Sequence, residues 1–163
     1  VGPLAKVDPA ALPKRSNLHW LGARPYSRLP AITKGFNVCL MPFALNASTE
    51  FINPTKALEY LAAGRPVVST ALDEVRTNCS AAVRIAENHQ EFIIMAVEET
   101  ASPSSIRVAA GLALASDNTW EAITAAMTHH IESTLYRKHI QEFEELEVSI
   151  LDEDMALSGP DHV

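Results

Sequence analysis

Short apolar runs that alternate with helix-like stretches are the feature that most constrains the fold of this chain. Four runs are long enough for a strand, at residues 17–22, 37–41, 66–69 and 82–86, and residues 1–3 look like the end of a fifth. Apolar strands of this length, separated by helices, are typical of repeated βαβ units, in which helices cover both faces of a parallel sheet. The sequence therefore predicts a three-layer α/β fold with a parallel sheet of four or five strands.

Helical spacing of apolar residues fills the stretches between these strands. It predicts helices over residues 27–34, 54–63, 73–79, 88–99, 102–115, 118–134 and 135–151. Asp117 or Asn118 can cap the sixth of these helices, and the chain from Asp152 onwards is predicted to be frayed. Trp20 and Trp120 are predicted to be core residues rather than stacking platforms.

The carboxyl ends of parallel strands share one edge of the sheet, and ligands usually bind there. The loops that follow the predicted strands fall on that edge, at residues 22–26, 42–53 and 69–71. A ligand site of this fold is therefore expected among these loops.

The stretch INPTKALEYLAAGRPVVS, residues 52–69, places charged residues at the start of a predicted helix next to one of these loops. Pro54 suits the first helical position, because its fixed φ fits the helix and its missing N–H costs no hydrogen bond there. The free amides of a helix start favour an anion, Lys56 adds a positive charge, and Thr55 adds a hydroxyl donor. Glu59 falls on the same exposed side, where a carboxylate can accept two hydrogen bonds from a vicinal diol such as a ribose.

Lys56 and Glu59 also have a simpler interpretation, as an i,i+3 ion pair on a solvated helix face. Such a pair stabilises a helix by about 0.2–0.5 kcal/mol. The spacing of the two residues is compatible with a solvated pair and with a phosphate-and-ribose site, and it leaves both open.

Acidic residues are concentrated at the carboxyl-terminal end of the chain. The formal net charge is −7, and residues 141–163 contain eight acidic residues and no Lys or Arg. The rest of the chain is close to neutral and has no basic stripe interleaved with aromatic residues, so no nucleic-acid partner is expected. The acidic tail is predicted to be a solvated end, with partner binding as the alternative.

Cys39 and Cys79 are too far apart in sequence for a metal-ligand pair, and both lie among apolar neighbours. Two inert thiols in a reducing compartment are the natural interpretation. No apolar run approaches the roughly 18 residues needed to cross a bilayer, and the start lacks a signal-peptide pattern. We therefore expect a cytoplasmic protein without a metal or a cofactor.

Several segments resemble the family 4 glycosyltransferases, which are retaining nucleotide-sugar enzymes of the GT-B fold. The run FINPTKALEYLAAGRPVVST is similar to the signature helix of that family, P-x-x-x-x-E-A-x-A-x-G-x-P-V-V, which follows a donor-binding loop. The segments NLHWLGARPYSRLP and FNVCLMPFALNASTEFINPTK resemble a bacterial subgroup, and DNTWEAITAAM resembles the Trp-containing helix near the carboxyl terminus of such enzymes. The resemblance runs from Val1 to about Leu135.

This resemblance implies a Rossmann-like nucleotide-sugar-binding domain over residues 1–135, partial at its amino terminus, and a helix with an acidic tail over residues 136–163. That domain would be the carboxyl-terminal half of a GT-B fold. The amino-terminal acceptor domain and the opening of this domain, where the family usually keeps an Arg and a Lys for the diphosphate, would be missing.

The resemblance also implies roles for individual residues. Glu59 matches the second Glu of the family's E-x7-E motif and would bind the ribose hydroxyls of the donor. Thr55 and Lys56 would hold the diphosphate with the helix amides, and the loop 43–53 would face the donor sugar. The loop after the NLHWLG strand would border the base. The substrate-binding set is then Arg24, Pro25, Tyr26, Glu50, Asn53, Pro54, Thr55, Lys56 and Glu59.

The sequence departs from the family pattern at one position of this set. The first Glu of the motif falls at Phe51, and Glu50 is one position out of register. Either the loop is rearranged so that Glu50 serves, or the donor sugar is contacted in another way.

The implied function is binding of a nucleoside diphosphate sugar, with UDP favoured over GDP, for metal-independent transfer of the glycosyl group in cell-surface polysaccharide biosynthesis. The chain by itself is predicted not to transfer sugar. A UDP-sugar epimerase of the non-hydrolysing type and a non-catalytic nucleotide-binding module are the alternatives. The implied partners are the donor, the missing acceptor domain, a second copy of the chain through exposed apolar surface, and a membrane surface close to the full-length enzyme.

Overall fold

The computed structural model describes residues 1–5 and 7–157, with side chains as far as residue 144. Its contacts divide the chain into two units, Val1–Asp117 and Asn118–Val163. The predicted domain boundary after residue 135 falls inside the helix of the second unit. Each unit is described by itself.

The first unit contains an open, all-parallel sheet of three strands in the order β1-β2-β3. The strands are β1 (Cys39–Met41), β2 (Val67–Thr70) and β3 (Val83–Ala86). They correspond to the runs predicted at residues 37–41, 66–69 and 82–86. The prediction of an α/β fold with a parallel sheet is thereby confirmed.

Helices lie before, between and after these strands. They are α1 (Leu29–Lys34), α2 (Lys56–Ala62), α3 (Asp73–Cys79), α4 (His89–Ala101) and α5 (Ser105–Asp117), with short 3-10 helices at Pro9–Ala11 and Tyr26–Arg28. All five α-helices were predicted, and their ends differ from the predicted ends by at most three residues. For α4 the start signal is explicit, since Asn88 accepts a hydrogen bond from the amide of Glu91 at 2.9 Å.

One face of the sheet forms the main core with α2 and α3. Because side chains alternate along a strand, Cys39, Val67 and Val83, which lie opposite one another in register, share this face. All three are at most 3% exposed. They belong to one buried cluster with Ala57 and Leu61 of α2 and Val75 and Cys79 of α3.

The other face is covered by α4 over β2 and β3 only. Leu40, Val68 and Arg84 are aligned on it, and the Arg84 guanidinium contacts Glu98 at 2.7 Å and the buried Glu99 at 3.6 Å on α4. Val68 is 0% exposed, whereas Leu40 on the edge strand is 43% exposed. The three-layer arrangement therefore holds for two of the three strands.

The two amino-terminal strands that the sequence predicts are absent from the structure. Residues 1–3 and 17–22 have no strand conformation, and one hydrogen bond, from the Gly2 amide to the Gly22 carbonyl at 2.9 Å, joins them. A strand is stable only beside a partner, and residues 1–3 are too short to provide one. Because residues 17–22 do not join the sheet, Trp20 is not covered by the sheet or its helices and is 53% exposed. Its prediction as a core residue was wrong.

Helix α2 is fixed to the core at its end as well as along its side. Gly64 has a φ of +67°, and the amides of Gly64 and Arg65 donate to Leu61 and Tyr60 at 2.9 and 3.3 Å. This is a Schellman motif, which favours glycine at the left-handed position. On the side of α2, Leu61 packs so closely on Gly111 of α5 that a Cβ at Gly111 would lie 2.6 Å from Leu61 Cδ2.

The second unit is a single helix, α6 (Trp120–Leu157), of 38 residues. The sequence predicted two helices and fraying from Asp152. That prediction was wrong as far as Leu157, and its remainder lies outside the described residues. No Gly or Pro interrupts the helix, and Thr119, rather than Asp117 or Asn118, accepts from the amide of Ala122 at 3.2 Å to cap it. Trp120 is 81% exposed, so it is not a core residue.

Candidate functional site at the carboxyl edge of the sheet

A threonine ties the loops at the carboxyl edge together. The Thr70 hydroxyl, at the end of β2, donates to the carbonyls of Phe43 at 2.9 Å and Met41 at 3.4 Å. The Phe43 amide also donates to the Met41 carbonyl at 3.0 Å. The chain leaving β1 is therefore attached to the end of the neighbouring strand, which fixes where the following loop begins.

That loop closes on itself through Thr49. The Thr49 hydroxyl donates to the Ala44 carbonyl at 2.5 Å and accepts from the Asn46 amide at 3.1 Å. The Asn46 side chain accepts from the Ser48 amide at 2.9 Å, which makes an Asx turn. Phe51 is left 90% exposed on this loop, and Glu50 beside it is exposed too.

Helix α2 begins at Lys56 and not at Pro54, so Pro54 does not occupy the first helical position. Thr55 is the N-cap, although its side chain makes no capping hydrogen bond. The amides of Thr55 and Ala57 donate to the carbonyls of Asn53 and Pro54 at 3.1 and 2.9 Å. Two amides at the start of α2 are thus already satisfied by the loop. The predicted amide cradle is correspondingly smaller, and the positive charge of Lys56 becomes the main attraction for an anion.

The Lys56 ammonium is held against an aromatic ring. Its Nζ atom lies 4.8 Å from the centroid of the Phe43 ring, within the range of a cation–π interaction. Phe43 is half-buried and packs on the core cluster, whereas Lys56 is exposed. The ammonium therefore has the ring on one side and solvent on the other.

Glu59 is engaged by a different segment. A hydrogen bond with Glu59, and secondly the negative charge of that carboxylate, raise the pKa of the Tyr26 hydroxyl above its ordinary value. The direction follows because the carboxylate accepts from the protonated phenol and repels the phenolate. The 3-10 turn that carries Tyr26, closed by the Arg28 amide on the Pro25 carbonyl at 2.9 Å, thus reaches the exposed side of α2.

The simple ion-pair interpretation does not describe this arrangement. Among the described residues no salt bridge joins Lys56 to Glu59, since Lys56 contacts Phe43 and Glu59 contacts Tyr26. The two charged groups stand on one side of α2 with separate aromatic partners, and both remain open to solvent.

The nine predicted site residues differ in exposure and in whether they contact one another. Pro54 is buried, and the other eight are exposed. Lys56, Glu59 and Tyr26 are brought to one end of the sheet by α2 and the 3-10 turn. No hydrogen bond or ion pair within the described residues attaches Glu50 to Lys56 or Glu59. The structure therefore offers no direct link by which Glu50 would replace the missing motif Glu.

Two residues of this edge were not singled out in the sequence as site residues. Phe43 contacts Lys56, and Thr70 holds Phe43. Their positions directly after β1 and at the end of β2 are the signal that could have found them, because both places lie on the ligand-binding edge.

Other groups offer little chemistry. Burial raises the pKa of the Cys39 thiol to about 11 and also raises the pKa of Cys79, so both thiols stay protonated and poorly nucleophilic at neutral pH. Two shallow concavities run along one helix, α6, near His129 and Glu132, where the side chains of a single helix cannot enclose a ligand.

Two further searches concern only the part of the chain that the structure describes. Over residues 1–5 and 7–157, no cluster of three or more His, Cys, Asp or Glu could hold a metal ion. The same stretch contains no helix with the length and apolar character needed to cross a membrane.

Known proteins give no independent identification. Comparisons with protein-family models, with curated proteins and with solved structures found no match to this chain.

Proposed function

We propose that this chain is the donor-binding part of a nucleotide-sugar-dependent glycosyltransferase, with a Rossmann-like fold corresponding to one half of a GT-B enzyme. The donor is a nucleoside diphosphate sugar, with UDP as the favoured nucleotide. Transfer is of the retaining, metal-independent type and takes place against an acceptor domain.

The observation that carries this proposal is the placement of Lys56 and Glu59 on the exposed side of α2, with Tyr26 beside Glu59, at the carboxyl edge of a parallel sheet. The resemblance assigns these residues, from two segments of the chain, to one nucleotide site. In open parallel sheets ligands bind at this edge. The exposed groups also suit the ligand, because an ammonium attracts a diphosphate and a carboxylate accepts hydrogen bonds from a ribose diol.

In the proposed complex two residues of α2 bind different parts of the nucleotide. Lys56 neutralises part of the diphosphate charge, which stabilises the leaving nucleoside diphosphate as the glycosyl bond breaks. Glu59 binds the ribose hydroxyls, and the hydrogen bond from Tyr26 orients its carboxylate. By the resemblance, an Arg and a Lys of the same domain would supply further positive charge.

A non-catalytic nucleotide-binding module is the second candidate. It is favoured by one observation, the 90% exposure of Phe51 at the position of the first motif Glu. A protein with the ribose and phosphate contacts but without the sugar contact would bind UDP and a UDP-sugar with equal affinity. The glycosyltransferase proposal expects the sugar to change the affinity.

The location and partners follow from the same proposal. Nucleotide sugars are made in the cytoplasm of bacteria, where the two free, buried cysteines would stay reduced. We propose that the acceptor domain of the full-length protein, close to a membrane surface, is the natural partner. Without that domain the exposed Ile93 and Val97 of α4 and Ile106 of α5 would promote self-association.

A calorimetric titration of the wild-type chain tests this proposal. UDP, GDP, UMP, uridine and several UDP-sugars are added in turn, without and with a chelator. We expect UDP to bind more tightly than UMP and uridine, with no effect of the chelator. Equal binding of uridine and UDP, or no binding of any diphosphate, would contradict the proposal. Unequal affinities of UDP and UDP-sugars would favour the glycosyltransferase over the non-catalytic module.

A further inference from the structure

The partner of Lys56 is a ring, not a carboxylate. The Nζ atom lies 4.8 Å from the centroid of Phe43. Glu59, three residues further along α2, is engaged by Tyr26 instead. This leaves the full positive charge of Lys56 without an anionic partner among the described residues.

Phe43 is well suited to hold a side chain in place, because its own position is fixed at three points. Its amide donates to Met41 and its carbonyl accepts from Thr70, at 3.0 and 2.9 Å. Its ring packs against the buried cluster under α2. The ring is thus attached to the ends of two strands and to the core.

We propose that Phe43 is the positioning residue of the anion site at Lys56: its ring face holds the ammonium over the carboxyl edge of the sheet before the ligand arrives. This inference rests on the proposed function, because it assumes that Lys56 binds a phosphate group. Phe43 sets the position of the Lys56 charge and does not itself contact the ligand.

The physical reason lies in the lysine side chain. Four rotatable bonds let an exposed ammonium occupy many positions, and ordering it on binding costs conformational entropy. A cation–π contact limits these positions without neutralising the charge, whereas a carboxylate partner would neutralise it. Loss of the aromatic face should therefore weaken anion binding by roughly two- to fivefold.

The first readout is spectroscopic and needs no ligand. In the full chain, the Lys56 side-chain methylene signals nearest the ammonium should be shifted upfield by the ring current of Phe43. Lys56→Arg identifies these signals by their disappearance. Phe43→Leu should abolish the shift and Phe43→Tyr should keep it. An unshifted Lys56 in the wild type would overturn the inference, whatever the protein binds.

The second readout is the affinity for UDP and for inorganic pyrophosphate, measured by calorimetry. Phe43→Leu should weaken both by the factor given above, Phe43→Tyr should restore binding, and Phe43→Leu should add nothing in the Lys56→Ala background. The matched control is Phe36→Leu, since Phe36 is another partly exposed phenylalanine but precedes β1 and so lies at the opposite end of the strand. Thermal unfolding of each variant checks that Phe43→Leu remains folded, and the ring-current shift of Lys56 in the wild type keeps the inference falsifiable if it does not.

The outcomes separate the two proposals. Binding that depends on Lys56 but is unchanged in Phe43→Leu overturns the inference and leaves the proposed function standing. Failure of the wild type to bind either ligand overturns both. Weaker binding in Phe43→Leu, rescue by Phe43→Tyr and non-additivity with Lys56→Ala together support the inference.

Discussion

The two sides of α2, a helix of seven residues, have opposite surroundings. On the inner side Ala57 and Leu61 are at most 3% exposed and belong to the core cluster. On the outer side Lys56 and Glu59 are exposed, and each contacts an aromatic residue from a different loop. The inner side packs the helix on the sheet, and the outer side carries the charged groups of the proposed ligand site.

Stability and binding should therefore respond to different substitutions within two turns of helix. Replacements on the inner side should lower the free energy of unfolding. Their effect on ligand affinity should come only through unfolding. Replacements on the outer side should change affinity or a pKa and leave stability within about 0.5 kcal/mol, as is usual for exposed positions.

The largest effect is expected for Leu61→Ala. Leu61 is 1% exposed, so the truncation leaves a cavity between α2 and α5 and should cost about 2–5 kcal/mol. The matched control is Leu40→Ala, because Leu40 is 43% exposed on the uncovered face of β1. Hydrogen exchange of the β2 amides at increasing urea concentration measures the free energy of unfolding of both variants. Equal losses for the two variants would contradict the burial described for α2.

A smaller loss is expected for Gly111→Leu. A Cβ at this position already approaches Leu61 Cδ2 to 2.6 Å, so a larger side chain would push α5 away from α2 at a cost of about 1–3 kcal/mol. Leucine is a good helix former, which excludes helix propensity as the cause of a loss. The same exchange measurement applies, with Ala113→Leu on the exposed side of α5 as control. An unchanged stability would show that the two helices are packed less closely.

The smallest effect concerns the outer side and is expected in a pKa, with stability at neutral pH unchanged to within about 0.5 kcal/mol. Glu59→Gln removes the carboxylate that raises the pKa of Tyr26, so this pKa should fall towards its ordinary value. In the wild type the hydroxyl keeps its proton, and its bond to Glu59, to a higher pH than a free tyrosine. The contact is then lost as the pH rises through the raised pKa. NMR titration of ring-labelled tyrosine, with the signal assigned by Tyr26→Phe, measures the pKa of Tyr26. The same pKa in the wild type and in Glu59→Gln would disprove the contact.

The fold was predictable where local pattern and tertiary partner agree. The strands that became β1, β2 and β3 have neighbours on the sheet, and their helices followed the apolar spacing. Residues 17–22 also carry apolar residues, at Leu18, Trp20 and Leu21, but no strand forms beside them, so the pattern alone was misleading. The continuity of α6 was missed because the more weakly amphipathic residues 135–151 were interpreted as a separate helix, although no Gly or Pro interrupts the stretch.

The site was predictable in its residues and less so in its contacts. Proline, lysine and glutamate at the start of α2 were evident from their spacing. That Lys56 would contact Phe43 and Glu59 would contact Tyr26 could not be read from the sequence, because both contacts join segments with no periodic relation. The helix start was placed two residues early, since Pro54 serves the preceding turn as an acceptor for the Ala57 amide.

We propose that the outer side of α2 holds a diphosphate through Lys56 and a ribose through Glu59. The most direct test is calorimetric titration of UDP and of inorganic pyrophosphate into the wild type, Lys56→Ala and Glu59→Gln. Lys56→Ala should weaken both ligands by about fivefold. Glu59→Gln should weaken UDP by roughly 10- to 100-fold and leave pyrophosphate unchanged. Unaltered UDP affinity in both variants would contradict the claim.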